Sequence, residues 1–273
     1  MKLVVISPEQ DDPREIAVLG ALFAAGLERY HVRKPHWSAA QLETWLSALP
    51  AEWRPRLVLH SHHELVAMFG LGGYHWRDEK GGAACPQDAV SALRSTRSTF
   101  TSRSCHDFTT LRASLGHYDS VFFGPVFPSI SKPGYMTELT AQVERGVPGL
   151  HSFSEGGPTR SFENEDLIAS GRRIPPTELS SLLNSRTANE RRTTVLALGG
   201  VTAERLPQAR ALGFDGVAVL GAVWQAADPV AAFCEIQSAV FSDVSGRAKP
   251  PGEPRLASAR RGRLALPYPN HAA

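Results

Sequence analysis

Residues 121–135 read VFFGPVFPSISKPGY: an apolar run gives way to a Gly-Pro turn carrying two hydroxyls, Ser129 and Ser131, and one cation, Lys132. Serines donate neutral hydrogen bonds, and lysine meets a phosphate as a point charge where arginine would grip it with two parallel bonds. Two further stretches, ALGG (197–200) and VLGA (219–222), place Gly199, Gly200, Leu220 and Gly221 where an apolar run passes into a helix-forming segment. Glycine lets a backbone approach a ligand closely, and the N–H groups opening a helix attract anions. Either glycine pair alone needs do no more than turn the chain; both pairs at neighbouring strand ends, with Lys132 nearby, point to a phosphate site.

Histidines supply a second chemistry. In HSHH (60–63), His60 and His62 would face the same way on an extended strand. An HxH pair at the mouth of a barrel can hold a metal when other strands add ligands, and His75 is the available third. The competing reading has His60 facing a substrate while His62 and His63 open the next helix.

These residues need elements to position them. Short apolar runs alternate with longer stretches of helical period: LVVIS, LERYHVR, RLVLH, LGGYHW, STFTSRS, SVFFGPVF, TTVLALGG and GVAVLGA read as strands. The first helix ends at Gly26, Ser38 caps the second, and Gly70 stops the third. Strands that are continuous apolar runs, each followed by a helix, argue for a parallel sheet covered by helices, and eight such units predict a (β/α)8 TIM barrel. Residues 77–97 and the strands beside them carry the weakest pattern. Two segments fall outside it. Residues 136–192, rich in Gly, Ser, Pro and charge, read as an insertion between strands six and seven, and 244–273 as a disordered Arg/Pro tail. The expected organisation is a barrel over 1–243, the insertion included, followed by the tail.

Bulk properties exclude other classes. The 273 residues are 42% hydrophobic and 21% charged, with a net charge of +2, which argues against a nucleic-acid partner. Three widely spaced cysteines without a CxxC suit a reducing compartment, and no run approaches the roughly 18 apolar residues of a membrane span. The expectation is a cytoplasmic globular protein acting on a small molecule, with a homodimer left open.

HVRKP after the second strand, SRSCH after the fifth, FFGPVFPSISK at the sixth and ALGGVTAERLPQARALGFDGVAVLGAVW at the last two resemble, in that order, the thiamine phosphate synthase/TenI superfamily. The likeness spans residues 1–135 and 193–240. It implies a barrel enzyme of thiamine biosynthesis whose Gly199, Gly200, Leu220 and Gly221 hold a thiazole phosphate, with Lys132 over the reacting centre. Synthases of this family couple that phosphate to hydroxymethylpyrimidine pyrophosphate with Mg2+, a Gln-x-Arg-x-Lys motif, an Asn-Asp pair and a further Asp. Here the motif positions read His31, Arg33 and Pro35, with Lys34 adjacent. The Asn-Asp pair falls on His60 and Ser61, and the further Asp near Lys80, with Asp78 and Glu79 as the neighbouring carboxylates. Mg2+ favours one or two carboxylates beside phosphate, so these departures weaken a magnesium site. The TenI branch isomerises the thiazole carboxylate phosphate to its aromatic tautomer, and its Arg-Ser-x-His pattern matches Arg103, Ser104 and His106. The resemblance thus implies His106 as acid/base, with Arg33, Lys34 and Lys132 meeting pyrophosphate if coupling occurs. A non-catalytic phosphate-binding barrel and a histidine-ligated metal hydrolase are the rival readings.

Overall fold

The computed structural model describes residues 1–77, 99–128, 130 and 176–242. Eight parallel strands close into a barrel in sequence order: β1 (Lys2–Ile6), β2 (Tyr30–Val32), β3 (Leu57–Leu59), β4 (Gly73–Trp76), β5 (Phe100–Cys105), β6 (Ser120–Phe123), β7 (Thr194–Leu198) and β8 (Gly216–Val219). β8 returns to β1 with Lys2 opposite Gly216 and Val5 opposite Val219, so no strand edge is left open. The expected (β/α)8 architecture is the observed one.

Local chemistry sets the helix boundaries. α1 (Glu15–Ala24) follows the acidic turn, and α2 (Ala39–Ser47) begins at Ser38, whose side chain and that of Gln41 form a reciprocal capping box. α3 (Glu64–Phe69) stops at Gly70 in the left-handed conformation, and α4 (Phe108–Ser114) is capped by Asp107, whose carboxylate accepts from the Thr110 N–H. α5 (Pro176–Asn184) precedes β7, α6 (Leu206–Ala211) follows it, and α7 (Gly221–Trp224) and α8 (Pro229–Phe241) close the chain of elements.

Two boundaries differ from the sequence reading. The stretch VWQAADPVAAFCEIQSAVF, whose pattern reads as one last helix, is broken in two, because the Asp228 carboxylate accepts from the N–H groups of Val230 and Ala231 and opens a new helix at Pro229. The segment read as an insertion ends in α5, an ordinary barrel helix that buries Leu179, Leu182 and Leu183. Arg186 just beyond it donates to both carboxylate oxygens of Asp215 at 2.7 and 2.9 Å and to the Leu183 and Thr193 carbonyls, tying that helix to the β7–β8 side. Residues 136–175 of the expected insertion and the tail 244–273 lie outside the described residues.

Side chains alternate along each strand between the helix layer and the barrel interior. The outward set, with Val5, Tyr30, Leu57, Val121 and Val195, joins Leu19, Leu22, Leu42, Leu111 and Phe233 from the helices in the main core. The interior is divided. Val4, Ile6, Phe122, Leu196 and Ala218 fill the side made by β1, β6, β7 and β8. The opposite side, made by β2 to β5 and the β3 end, holds buried polar groups: His31, His60, His75, Ser102 and, beside them, Ser104.

Candidate functional site at the C-terminal barrel mouth

A cavity of about 420 Å3 opens at the C-terminal ends of the strands. That end of a barrel is where the βα loops gather, so residues from distant parts of the sequence meet there. Ser104 and His106 reach it from β5, Gly124, Pro125 and Ile130 from the segment after β6, Gly199 and Gly200 from β7, and Leu220, Gly221 and Ala222 from β8. Arg33, Arg77 and Glu9 line it from the β1, β2 and β4 side, and His60 forms part of its wall.

The glycines at β7 are there for two reasons. Gly199 and Gly200 have φ of +90° and +60°, a region L side chains rarely adopt. A Cβ at Gly200 would also stand 2.0 Å from the Pro128 carbonyl oxygen, and one at Gly199 would stand 2.6 Å from the Pro125 Cβ. The turn after β7 therefore packs directly on the turn after β6, leaving backbone rather than side chains along this part of the cavity. On the β8 side, Val223 makes the first N–H bond of α7, back to Leu220, so Gly221 and Ala222 occupy positions whose N–H groups have no acceptor within the helix. The two glycine pairs expected from the sequence thus flank one end of one cavity.

His106 is held by a 2.6 Å bond from Nδ1 to the Gly124 carbonyl oxygen. A carbonyl can only accept, so Nδ1 carries the proton and Nε2 of the neutral ring bears the lone pair, the form of a general base. Ser104 contacts His75 Nε2 at 2.8 Å, while His75 Nδ1 contacts Ser102 Oγ at 2.9 Å. Ser102 Oγ lies 3.2 Å from the Tyr74 carbonyl and donates to it, so it accepts from His75 Nδ1–H. His75 Nε2 then holds a lone pair, and Ser104 donates to it.

Electrostatics distinguish the cationic groups. Arg33 pairs with Glu9 at the cavity wall, both about one-third exposed. Lys34, the neighbouring cation, is turned away: its side chain is 0% exposed, and Nζ lies 2.5 Å from Glu15 Oε2 beneath α1. Glu15 also accepts from the Tyr30 hydroxyl at 2.8 Å. Burial raises the Glu15 pKa against the opposing pull of Lys34 and Tyr30, and burial followed by the Glu15 charge drives the Tyr30 pKa well above its ordinary value. Lys34 is therefore a buried ion-pair partner and does not reach the cavity. Arg77, which carried no expectation from the sequence, takes a place on the cavity wall; its position just after β4 was the signal available.

Of the two readings of HSHH, the structure favours His60 at the cavity with the next helix opening at His63, not an HxH pair. β3 ends at Leu59, and His62 sits at φ +53° with Nε2 2.9 Å from the Trp37 carbonyl, so His60 and His62 do not face one way. His63 precedes α3 and contacts the His75 carbonyl at 3.1 Å. His60 instead meets His31, 3.1 Å from Nδ1 to Nε2, and stacks on His75. Burial lowers the pKa of all three, that of His31 to about 3, with the neighbouring cations or imidazoles acting in the same direction.

Ser129, Ser131, Lys132, Asp78 and Glu79 lie outside the described residues. Among the described residues Glu9 is the only carboxylate on the cavity, and it is engaged by Arg33. A lone paired carboxylate does not make the oxygen-rich set that Mg2+ requires. No described helix is long and apolar enough to cross a membrane.

No protein-family model matches the sequence, and no curated protein matches it. Solved structures do. A thiamine phosphate pyrophosphorylase from Bacteroides thetaiotaomicron is similar over 88% of this chain and 98% of its own, at 22% identity and a TM-score of 0.57. A thiamine phosphate pyrophosphorylase from Pyrococcus furiosus is similar over 88% and 95%, at 16% identity and a TM-score of 0.59. A 3-hexulose-6-phosphate synthase is similar over 88% and 99%, at 15% identity and a TM-score of 0.50. What they share with this chain is the fold. It is a (β/α)8 barrel found in enzymes of more than one chemistry.

Proposed function

We propose that the protein is a thiamine-biosynthesis enzyme of the thiamine phosphate synthase/TenI type that binds a thiazole phosphate and isomerises its carboxylate form through His106. The observation that carries this reading is the convergence of His106, oriented by the Gly124 carbonyl, with the Gly199–Gly200 and Leu220–Gly221 backbones on one cavity. The phosphate would lie against those two backbone segments. Arg33 and Arg77 would face the carboxylate, and Ser104 would contribute a hydroxyl beside the ring. Tautomerisation requires one group that removes a proton from one ligand atom and returns it to another, and the Nε2 lone pair of His106 is suited to both steps. No net charge leaves the site, so no metal is required to neutralise a leaving group.

Coupling to a pyrimidine pyrophosphate is the second reading, favoured by the sequence resemblance and by Arg33 and Arg77 at the mouth. Its cost is the departing pyrophosphate, for which the described residues offer no magnesium site. The test is to incubate the protein with the thiazole carboxylate phosphate, and separately with thiazole phosphate plus pyrimidine pyrophosphate, with and without Mg2+. Isomerisation in wild type, lost in His106→Gln with thiazole phosphate binding retained, is expected. Thiamine phosphate formation would replace tautomerisation by synthase chemistry. Ligand binding with neither reaction would leave a non-catalytic binder.

A further inference from the structure

We propose that His31, His60 and His75 form a binding site for a late first-row divalent transition metal, with Zn2+ as the reference ion. The three come from the ends of adjacent strands, β2, β3 and β4, and their candidate ligand nitrogens all lie within 4.8 Å of one another. All are buried, at 0%, 6% and 0% exposure. Barrel interiors are ordinarily filled by branched aliphatic side chains, so three imidazoles in this place need a reason.

Their hydrogen bonding leaves that reason open on one side. His31 Nε2 is a buried ring nitrogen with no hydrogen-bond partner among the described residues, so no acceptor fixes its proton and either ring nitrogen can present the lone pair. The His31–His60 contact at 3.1 Å uses a single proton between two nitrogens. His75 has the arrangement of a metal-ligating histidine already in place. Its Nδ1–H is committed to Ser102, which is fixed in turn by the Tyr74 carbonyl, so Nε2 presents a lone pair. Neutral imidazole is the ligating form, and imidazole sets favour Zn2+, Ni2+ or Cu2+ over Mg2+ or Ca2+.

Tetrahedral zinc with metal–nitrogen bonds of about 2.0–2.1 Å holds its nitrogens roughly 3.3 Å apart. Ligation through His31 Nδ1 starts near that spacing to His60 Nε2, while the other separations, all within 4.8 Å, leave up to about 1.5 Å to close. The rings of His60 and His75 are stacked at 3.8 Å, so one of them must turn out of the stack to face a shared ion. Ser104 releases His75 Nε2 in the same movement. The set differs from the His60–His62 pair weighed as one reading of the sequence, because His62 is directed to Trp37. It is also independent of the phosphate cradle at β7 and β8.

The test uses the full chain, stripped with a chelator and titrated with Co2+, whose visible d–d bands report coordination number. One equivalent should give an intense four- or five-coordinate spectrum that Zn2+ abolishes. His31→Gln and His75→Gln should lose it, His62→Ala and His63→Ala should retain it, and Ser102→Ala should weaken affinity by about 10–100-fold. Because core histidine variants can misfold, X-ray absorption on the Zn2+-loaded wild type gives an independent count, expected to be three imidazoles. A wild type without the Co2+ spectrum overturns the proposal. So does a zinc site with fewer than three imidazoles, or a spectrum that survives in folded His31→Gln and His75→Gln.

Discussion

The buried pair of Lys34 and Glu15 makes the sharpest quantitative prediction, because it decides between two roles for one lysine. Among the described residues Lys34 Nζ meets the Glu15 carboxylate at 2.5 Å, the Gln10 carbonyl at 3.2 Å and the face of Trp37, 4.8 Å to the ring centroid. Glu15→Gln removes the counter-charge and leaves Lys34 to stay charged in an apolar surround or to give up its proton. Removing one partner of a buried ion pair costs about 3–5 kcal/mol, and that is the expected loss. Lys34→Met should cost less. The Glu15 pKa is already raised by burial, so its carboxyl can protonate and still accept from Tyr30. The double variant should lie well above the sum of the singles, with a coupling of at least about 1 kcal/mol. Urea unfolding followed by tryptophan fluorescence reads all four proteins, provided the m-value is constant. The second assay is equilibrium binding of a thiazole phosphate or of pyrophosphate, which Lys34→Met should leave within about twofold, a free-energy change of less than ~0.5 kcal/mol. A Lys34→Met protein of wild-type stability that no longer binds pyrophosphate would refute the placement of this lysine under α1 and return it to the cavity.

Three further outcomes are expected. For metal-free protein, the folded His31 pKa of about 3 lies below the free imidazole value, so between the two the unfolded chain binds more protons. Stability is therefore complete above about pH 6.5 and falls as the pH falls, by about 2 kcal/mol between pH 7 and 5 for this group alone. His60 and His75, which face it together with Arg29 and Phe122, act in the same sense; a urea midpoint flat over that range, or equally steep in a folded His31→Leu, would contradict the cause. Gly200→Ala should cost more than Gly70→Ala: both have φ near +60°, worth about 1–2 kcal/mol of strain, but a Cβ at Gly70 meets nothing within 4 Å whereas one at Gly200 strikes the Pro128 carbonyl. Equal thermal shifts for the two would deny the close packing of the β6 and β7 turns. Arg186→Lys should lose about 2 kcal/mol or more of stability in denaturant, because an ammonium cannot reproduce both bonds to Asp215 and those to two carbonyls.

The barrel was legible because its strands are buried on both faces and stand out as apolar runs, and because Ser38, Gly70 and Asp107 carry helix-end chemistry that needs no tertiary context. The turns at Gly199–Gly200 and Gly221 were legible for a related reason, since a strand end fixes which rim of the barrel a residue reaches, whereas His106 was singled out by the Arg-Ser-x-His resemblance. What failed was direction within a rim. Arg33 and Lys34 are adjacent, and the strand alternation that aims one at the cavity sends the other under α1, where Glu15 waits 19 positions earlier in the chain. The alternative of a His60–His62 pair fails because β3 stops at Leu59 and the chain turns into a left-handed residue before alternation can act again. Helix α5 was hidden by its neighbours, since a composition window over 136–192 averages its leucines into a polar background.

The departures from the synthase pattern look different once they are placed in space. In the sequence, His31 and His60 stand apart as two separate losses, one where the resemblance expects glutamine and one where it expects asparagine. In the barrel they touch, and both lie against His75. The third imidazole, His75, stands on a third strand and is supported by Ser102 and Ser104 on a fourth. Contiguity of that kind requires side chains that were accommodated together, since a lone imidazole in this interior would bring its desolvation cost without a partner. The β2–β4 side of the barrel mouth is thus nitrogen-rich, while the β7–β8 side presents backbone to the cavity. His60, shared by the cluster and the cavity wall, is the point at which the imidazole side of the barrel meets the cavity.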